Sequence, residues 1–335
     1  MVEQGTRSDA GRRRVTAADV ARSLGISRAT VGFVLNNTPG QTISPATTQR
    51  VLEEAKRLGY RPHSAARALA SGQSRVVLLV LPDWPLDYSM RSNLDEASFV
   101  LDQAGYSLVT MTTHVGGRSR PLWESLSPDA VVGMIPFSES QIADIRAGGV
   151  EHIITSSLPE HSASSDLGWL EGPRLQAEHL LQRGSRRIAF AATSDARLSA
   201  LVDERRRRAE GTLRERTGAG FVDEVAVSEG TAAEVVQRWA AAGVDGVVAY
   251  NDDIAAMVTG AAVRAGVSVP DSLAVVGHDD SPLARLFVPS LSSVRIDTAG
   301  LGRYLAELAL ASIASTDPPV AGPESEATLV RRETT

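Results

Sequence analysis

The sequence predicts an all-α head joined to an α/β body of parallel sheets. Three observations predict this pairing. Residues 15–59 contain three short helical periods of apolar residues, each bounded by cap and turn residues. From Arg75 onward, apolar runs of strand length alternate with helical periods, the pattern of parallel sheets covered by helices. Charge divides at the same place. Residues 1–75 hold twelve Lys and Arg against five Asp and Glu, whereas the whole chain of 335 residues sums to −6, leaving −13 on the remainder.

The head is read from its caps. Thr16 is placed to accept the backbone N–H of Asp19, and Asp19 to reach back, which is a capping box. Val20, Ala21 and Leu24 fall on one helical face, and Gly25 supplies the left-handed residue that ends it. Ile26 is the apolar residue of the turn. Ser27 caps a second helix whose expected buried face is Val31, Val34 and Leu35. Ser44-Pro45 announces a third helix, with Val51, Leu52, Ala55 and Leu58 as its face and Gly59 as its stop. Two short helices, a tight turn and a third helix make a helix-turn-helix, which lays its second helix in the DNA major groove. An ordinary three-helix unit would share this pattern. The basic charge of the head on an acidic body favours a polyanion partner.

Composition bounds the remaining possibilities. The hydrophobic content of 43% supports a sizeable core, and 22% charged residues argue against global disorder. Without cysteine there is no disulfide framework and no thiol chemistry. The six histidines (63, 114, 152, 161, 179 and 278) lack metal-ligand spacing, so no metal and no cofactor is expected. Residues 1–14 contain Arg7 and Arg12-Arg13-Arg14 without an apolar segment, which predicts a disordered basic tail rather than a signal peptide. No stretch reaches ~18 consecutive apolar residues, so a cytoplasmic protein with no membrane partner is expected.

Residues 60–75, YRPHSAARALASGQSR, form a bridge with few apolar residues. It reads either as a flexible linker or as a short helix that folds on DNA. In the second reading Leu69 is a minor-groove wedge, and Arg67 and Arg75 face phosphates.

In the body, Val76–Leu81 (VVLLVL) is a strand buried on both faces, and Leu94–Ala104 is a helix ending at Gly105. Strands are expected at Tyr106–Met111, Ala130–Ile135, His152–Thr155, Ile188–Ala192, Val244–Tyr250, Ala274–Gly277 and Val294–Ile296. Helices are expected at Leu175–Gln182, Arg197–Arg216, Ala233–Ala242, Ile254–Ala265 and Leu301–Ile313. About 260 residues is large for one doubly wound sheet, which suggests two lobes. The segments SRVVLLVLPD (74–83) and SRRIAFAATSD (185–195) look alike, a weak hint of two related halves.

Ligands of open parallel sheets bind beyond the carboxyl ends of the strands. Polar groups stand at several such ends: Leu81-Pro82-Asp83, Tyr250-Asn251-Asp252-Asp253 and Gly277-His278-Asp279-Asp280. Converging on one cleft, they would suit a sugar or other polyol, with Trp84 or Trp169 stacking on an apolar ring face. Helix capping accounts for Asn251 equally well, and is the favoured reading of Asp253 and Asp280. Within Arg205-Arg206-Arg207-Arg208 the pattern is a solvated face, with room for one Arg to turn toward the cleft. No nucleophile, metal or nucleotide-loop signature accompanies the carboxylates, so catalysis is not expected.

Taken in order, VTAADVARSLGISRATVGFVLN (15–36), VLEEAKRLGYRPHSAARALASG (51–72), AEHLLQRGSRRIAF (177–190) and VSVPDSLAVVGHDDSPLARLFVPSLSSVR (267–295) resemble the LacI/GalR family of bacterial transcription regulators. The resemblance runs over nearly all of residues 15–332. It implies a head at 15–61, a hinge helix within 62–74 and, over 75–332, a two-lobed body like a type I periplasmic binding protein. In such a body the chain crosses between lobes three times. It also implies a homodimer on a pseudo-palindromic operator in double-stranded DNA, with a small-molecule effector, possibly a carbohydrate, in the cleft. The chain shows no C-terminal heptads, so a dimer is expected rather than a tetramer.

The resemblance places Arg28 and Ala29 at base-reading positions, Thr30 and Asn36 at backbone-contacting and framework positions, and Leu69 at the operator-centre wedge. With Thr16, Ser27, Phe33, His63 and Arg67 these make the expected DNA-binding set. Arg205, Asn251 and Asp279 match effector contacts, and Asp83, Trp84 and Trp169 complete the expected effector set. Departures are equally specific. Phe33 stands where the family often has a guanine-reading Arg and offers only apolar contact to a thymine methyl. Gly32 weakens its helix by roughly 1 kcal/mol relative to Ala. Asp83-Trp84-Pro85-Leu86-Asp87-Tyr88 replaces the usual D-x-x-N-P-F-F, and Gly168-Trp169 stands near the place of an expected Asp. The leading reading is an effector-controlled repressor. The alternatives are a DNA-binding regulator without an effector and, further off, a solute-binding protein or α/β enzyme.

Overall fold

The computed structural model describes residues 15–36, 40–60, 73–114, 117–155, 168–319 and 327–335. The basic tail (1–14) and hinge residues 62–72, with His63, Arg67 and Leu69, lie outside the described residues, as do His161 and the side chain of Trp169. The chain divides into two compact units, residues 1–74 and 75–335.

The first unit contains α1 (Ala17–Leu24), α2 (Arg28–Leu35) and α3 (Pro45–Leu58). The caps act as their sequence requires. Thr16 Oγ1 accepts from the N–H of Asp19, and Asp19 Oδ2 accepts from the N–H of Thr16 at 2.9 Å. Gly25 and Gly59 take φ of 66° and 70°, where a Cβ would clash with its own backbone. Ser27 and Ser44 each accept the N–H three residues on. Val20, Ala21, Val31, Val51 and Ala55 form the core, with Leu24, Ile26, Val34 and Leu35 packed around it. Leu52 departs from expectation, being 51% exposed. Val51, Ala55 and Leu58 recur at i, i+4 and i+7, and Leu52 is rotated about 100° from that stripe.

The second unit holds two sheets. In the first, β1 (Val76–Leu81), β2 (Ser107–Thr112), β3 (Ala130–Gly133) and β4 (His152–Thr155) are all parallel, in the order β2-β1-β3-β4. The unbroken apolar run of β1 is required because both its faces are covered. Val77, Leu79 and Leu81 enter one core, and Leu78 and Val80 the other. Helices α4 (Tyr88–Gln103), α5 (Trp123–Leu126) and α6 (Glu139–Ala147) belong to this lobe. Helix α4 starts six residues before the expected Leu94, because Asp87 Oδ1 accepts from the N–H of Met90 at 2.8 Å and caps it.

The second lobe begins with α7 (Gly168–Arg183), which starts seven residues before expectation and contains Pro173. Then follow β5 (Ile188–Thr193), α8 (Ser199–Thr217), β6 (Glu224–Val227), α9 (Ala232–Ala241), β7 (Gly246–Ala249), α10 (Asp252–Arg264), β8 (Ala274–His278), α11 (Pro282–Leu286) and β9 (Ser292–Arg295). Helix α12 (Thr298–Ala314) returns to the first lobe, where it packs on α4, β3 and β4. The contact is close enough that a Cβ on Gly302 would sit 2.0 Å from the backbone oxygen of Asn93. The chain re-enters the second lobe as β10 (Thr328–Val330), antiparallel to β9, giving the order β10-β9-β8-β7-β5-β6. The chain thus passes between lobes after β4, after β9 and after α12. Strands β6-β5-β7-β8 repeat the order β2-β1-β3-β4, and the two similar sequence segments are the first strand of each repeat.

Candidate DNA-reading face and interlobe cleft

In the head, Val31 turns α2 into the core, which leaves the first turn of that helix facing outward. Arg28 and Ala29 are exposed, Thr30 and Phe33 are half-buried, and Asn36 is exposed just beyond the last turn. Ser27 Oγ accepts from Thr30 N–H at 3.0 Å and lies 2.8 Å from Thr30 Oγ1, so these hydroxyls are held together at the helix start. Thr16, exposed, is engaged in the capping box of α1. This face combines a guanidinium, a methyl, hydroxyls and an exposed helix N-terminus, the kinds of group that contact phosphates and base edges.

In the body, two adjoining cavities lie between the lobes at the carboxyl ends of the central strands, where the crossover direction reverses in a sheet of this order. The larger, about 430 Å³, is lined by Asp87 and Arg91 from the first lobe and by Asn251, Asp253, Asp279 and Ser281 from the second. The smaller, about 120 Å³, is lined by Trp84, Asn93, Met134, Arg205, Tyr250 and Leu301 among others, and Asp87 lines both. Trp84 packs against the cores of both lobes.

Arg205 is the central cation. It is 7% exposed, donates from Nη1 to the carbonyl of Tyr250 at 2.6 Å and from Nη2 to Asp279 Oδ1 at 3.2 Å, and lies 4.7 Å over the Tyr250 ring. Burial opposes its charge, but Asp279, Tyr250 and Asp87 together outweigh burial and lift its pKa further. Its three neighbours behave as a solvated face. Arg206 pairs with Glu210 and Glu224, and Arg207 and Arg208 pair with Glu204.

Asp279 and Asp280 occupy the left-handed region, φ 94° and 45°, at the end of β8. The turn is held by the N–H of Asp279 on the carbonyl of Val294 and the N–H of Asp280 on Ser293 Oγ. Burial pushes the Asp279 carboxyl up, but Arg205 and then His278 dominate and hold it at about 2. His278 is fully buried, and burial followed by the Arg205 charge keeps its pKa low. The neutral ring then donates from Nδ1 to Asp279 Oδ1 at 2.7 Å. Its other face abuts Gly172, where a Cβ would lie 2.1 Å from Nε2.

Asn251 serves both expected roles. Its Oδ1 caps α10 by accepting from Ile254 N–H at 3.0 Å, and it lines the larger cavity. The capping reading fails for the other two carboxylates. Asp253 sits in the first turn of a helix that Asn251 already caps, and lines the cavity instead. Asp280 accepts from Arg295 and Arg332 rather than capping α11. Between them, Asp252 is buried and accepts from Ser281 N–H and Ser293 Oγ. Burial raises its pKa to about 7.

Asp83 departs from the expected set. It lines neither cavity and lies 3.1 Å from His114 Nδ1 and 3.7 Å from Arg197 Nη1, so it ties the first lobe to the turn before α8. Asp87, four residues on, takes its place in the cleft. Sequence reasoning missed Asp87, Arg91 and Asn93. An Asp just before a helical period is a cap signal, and applied to Asp87 it would have placed the start of α4 and one cleft wall.

Known proteins resemble both units. Residues 9–63 match the model of bacterial regulatory proteins of the lacI family, and residues 177–335 match that of the periplasmic binding protein-like domain. The HTH-type transcriptional regulator GalS of Salmonella typhimurium is 31% identical over 339 positions, covering 95% of this chain and 96% of that protein. The HTH-type transcriptional regulator GntR of Pseudomonas aeruginosa is 31% identical over 342 positions, 96% of both chains. Among solved structures, the lac repressor dimer bound to operator and the anti-inducer ONPF superposes with a TM-score of 0.74 at 21% identity, covering 96% of this chain and 99% of that one. The transcriptional regulator CelR in complex with cellobiose gives 0.61 at 24% identity, covering 96% and 100%. The solved structures carry the fold, and the two regulators, matched nearly end to end, carry the kinship: this chain belongs to the lacI family of bacterial regulatory proteins.

Proposed function

We propose that this lacI-family regulator is a cytoplasmic repressor acting as a homodimer. Its heads read a pseudo-palindromic operator, and a small polar effector of carbohydrate type in the cleft shifts operator affinity. It performs no catalysis. The observation that carries the reading is the outward first turn of α2, where Arg28 and Ala29 are exposed while Val31 anchors the same helix in the core. In this reading residues 15–61 are the DNA-binding head, 62–74 the hinge and 75–332 the body. Arg28 and Ala29 read base edges, Phe33 touches a thymine methyl, and Thr16, Ser27, Thr30 and Asn36 contact phosphates and frame the helix. His63, Arg67 and Leu69 engage the operator centre. Arg205, Asn251 and Asp279 hold effector hydroxyls, with Trp84 and Trp169 against an apolar ring face.

Selection of bound DNA from a random library at two salt concentrations tests this. An enriched pseudo-palindrome with a flexible central step is expected. Retention that only follows salt, with no enriched sequence, would overturn sequence-specific reading. Leu69→Ala should weaken operator binding far more than binding to random DNA.

A regulator without an effector is the second reading, favoured by the engagement of Asp83 with His114 and Arg197 rather than with the cleft. It predicts that no metabolite fraction changes operator affinity or thermal stability.

A further inference from the structure

The polar groups left open in the cleft are mostly acceptors. Asp87 uses Oδ1 to cap α4, and no ion pair engages it among the described residues. Asp253 has no hydrogen-bond or ion-pair partner among the described residues and stands open at the mouth of the larger cavity. Asn93 is 4% exposed, lines the smaller cavity, and its Oδ1 has no partner among the described residues. A buried unsatisfied acceptor keeps its desolvation cost until a donor arrives.

The cations facing these groups offset them only in part. Arg205, from α8, is committed to Asp279 and the carbonyl of Tyr250. Arg91, from α4, lines the larger cavity exposed to solvent and forms no ion pair among the described residues. The carboxylates accordingly oppose one another. Burial pushes Asp87 up, opposed by the Met90 N–H and the Arg205 charge and aided by the charges of Asp279 and Asp253, and Asp253 is pushed up by partial burial and then by Asp279. They do not form a grouping able to hold a metal ion among the described residues, which leaves a separated set of acceptors suited to an organic cation.

We propose that the ligand of this cleft is a protonated amine of the amino-sugar class, its ammonium seated between Asp87 and Asp253 and its hydroxyls directed at Asn251, Asn93 and Arg205. The inference rests on the effector reading given above and narrows it. Trp84, Met134 and Leu301 in the smaller cavity offer the apolar wall that a sugar ring face requires. A neutral sugar would bring a cation to neither Asp87 nor Asp253. An ammonium supplies both with charge-assisted hydrogen bonds.

The test is calorimetric titration of the full chain with glucosamine, galactosamine and mannosamine. Each is compared with its parent hexose and its N-acetyl derivative at neutral pH. At least one amine should bind with both neutral counterparts about tenfold weaker or more, as expected for a hydrogen bond to a charged group. Asp87→Asn, which retains an N-cap, and Asp253→Asn should each remove that preference. Without ligand, the Asp253→Asn protein should unfold at the same or a higher temperature, since the substitution relieves repulsion. Equal or tighter binding of a neutral sugar would overturn the amine proposal and leave the effector reading standing. An amine preference that survives both substitutions would also overturn it, as would the absence of binding by every amine. The effector reading is judged separately, by whether a small-molecule extract alters operator affinity.

Discussion

Asp252 and Asp279 are both buried carboxylates, 27 positions apart in sequence, with opposite titration behaviour. Asp252 pairs with no cation among the described residues, and burial holds its pKa near 7, so the folded state keeps a proton that the unfolded chain releases near pH 4. The unfolded state binds fewer protons in that interval, and stability from this group falls as pH rises from about 4 to about 7. Asp279 is held at about 2 by Arg205 and His278, so its contribution is present above pH ~4 and is lost as pH falls toward 2. In Asp252→Asn, the amide oxygen accepts from Ser281 N–H while its nitrogen donates to Ser293 Oγ. The variant should gain on the order of a few kcal/mol at pH 8 and little at pH 4, read by urea unfolding at both values. Arg205→Met should cost about 3–5 kcal/mol by stranding the Asp279 charge. The same unfolding measurement checks it, and a cost below ~1 kcal/mol would show that Asp279 protonates freely. Little of this was legible from sequence. Asp-Asp pairs occur at both 252–253 and 279–280, and only the tertiary position of Arg205 separates their chemistry.

At the scale of elements, the sequence was most readable where local chemistry decides the outcome. The starts and ends of α1 to α3 follow from Thr16, Gly25, Ser27, Ser44 and Gly59, because a cap is settled within four residues. Elements that depend on distant partners were harder to read. β6 and β10 are short edge strands of four and three residues, without an apolar run to announce them. The early start of α4 rests on one cap, and its packing on α12 rests on a glycine whose importance only the contact reveals. Two helical glycines make the comparison sharp. Gly302→Ala places a methyl within 2.0 Å of the Asn93 backbone and should destabilise the body by about 1–3 kcal/mol. Gly211→Ala, within α8, meets nothing within 4 Å and should stabilise by roughly 0.5–1 kcal/mol through helix propensity. Thermal unfolding of the two variants should shift in opposite directions. Equal shifts would mean that the α4–α12 contact adjusts freely.

At the scale of the whole molecule, the order β2-β1-β3-β4 recurs as β6-β5-β7-β8, and each repeat brings its polar strand ends to the gap between lobes. Three crossings make that gap adjustable without unfolding either sheet, and α12, contributed to the first lobe from late in the chain, couples the lobes mechanically. Asp83 contacts His114 within the first lobe and Arg197 across the lobes, and both contacts are partly exposed. They are worth little as stability, yet a small energy is enough to bias two lobe arrangements of nearly equal free energy. If the ligand acts by favouring one arrangement, linkage makes the effect reciprocal. Whatever factor the ligand applies to operator affinity, saturating operator DNA must apply to ligand affinity, in the range of about 5–150-fold for ordinary allosteric couplings. Asp83→Asn should change the apparent affinity for operator and for ligand by shifting the lobe equilibrium, while leaving the two coupling factors equal to each other. Titrating ligand with and without operator, and operator with and without ligand, measures both factors in each protein. Unequal factors would mean that more than one ligand site or a change of oligomeric state intervenes. Equal factors of one would mean that the cleft does not communicate with DNA at all.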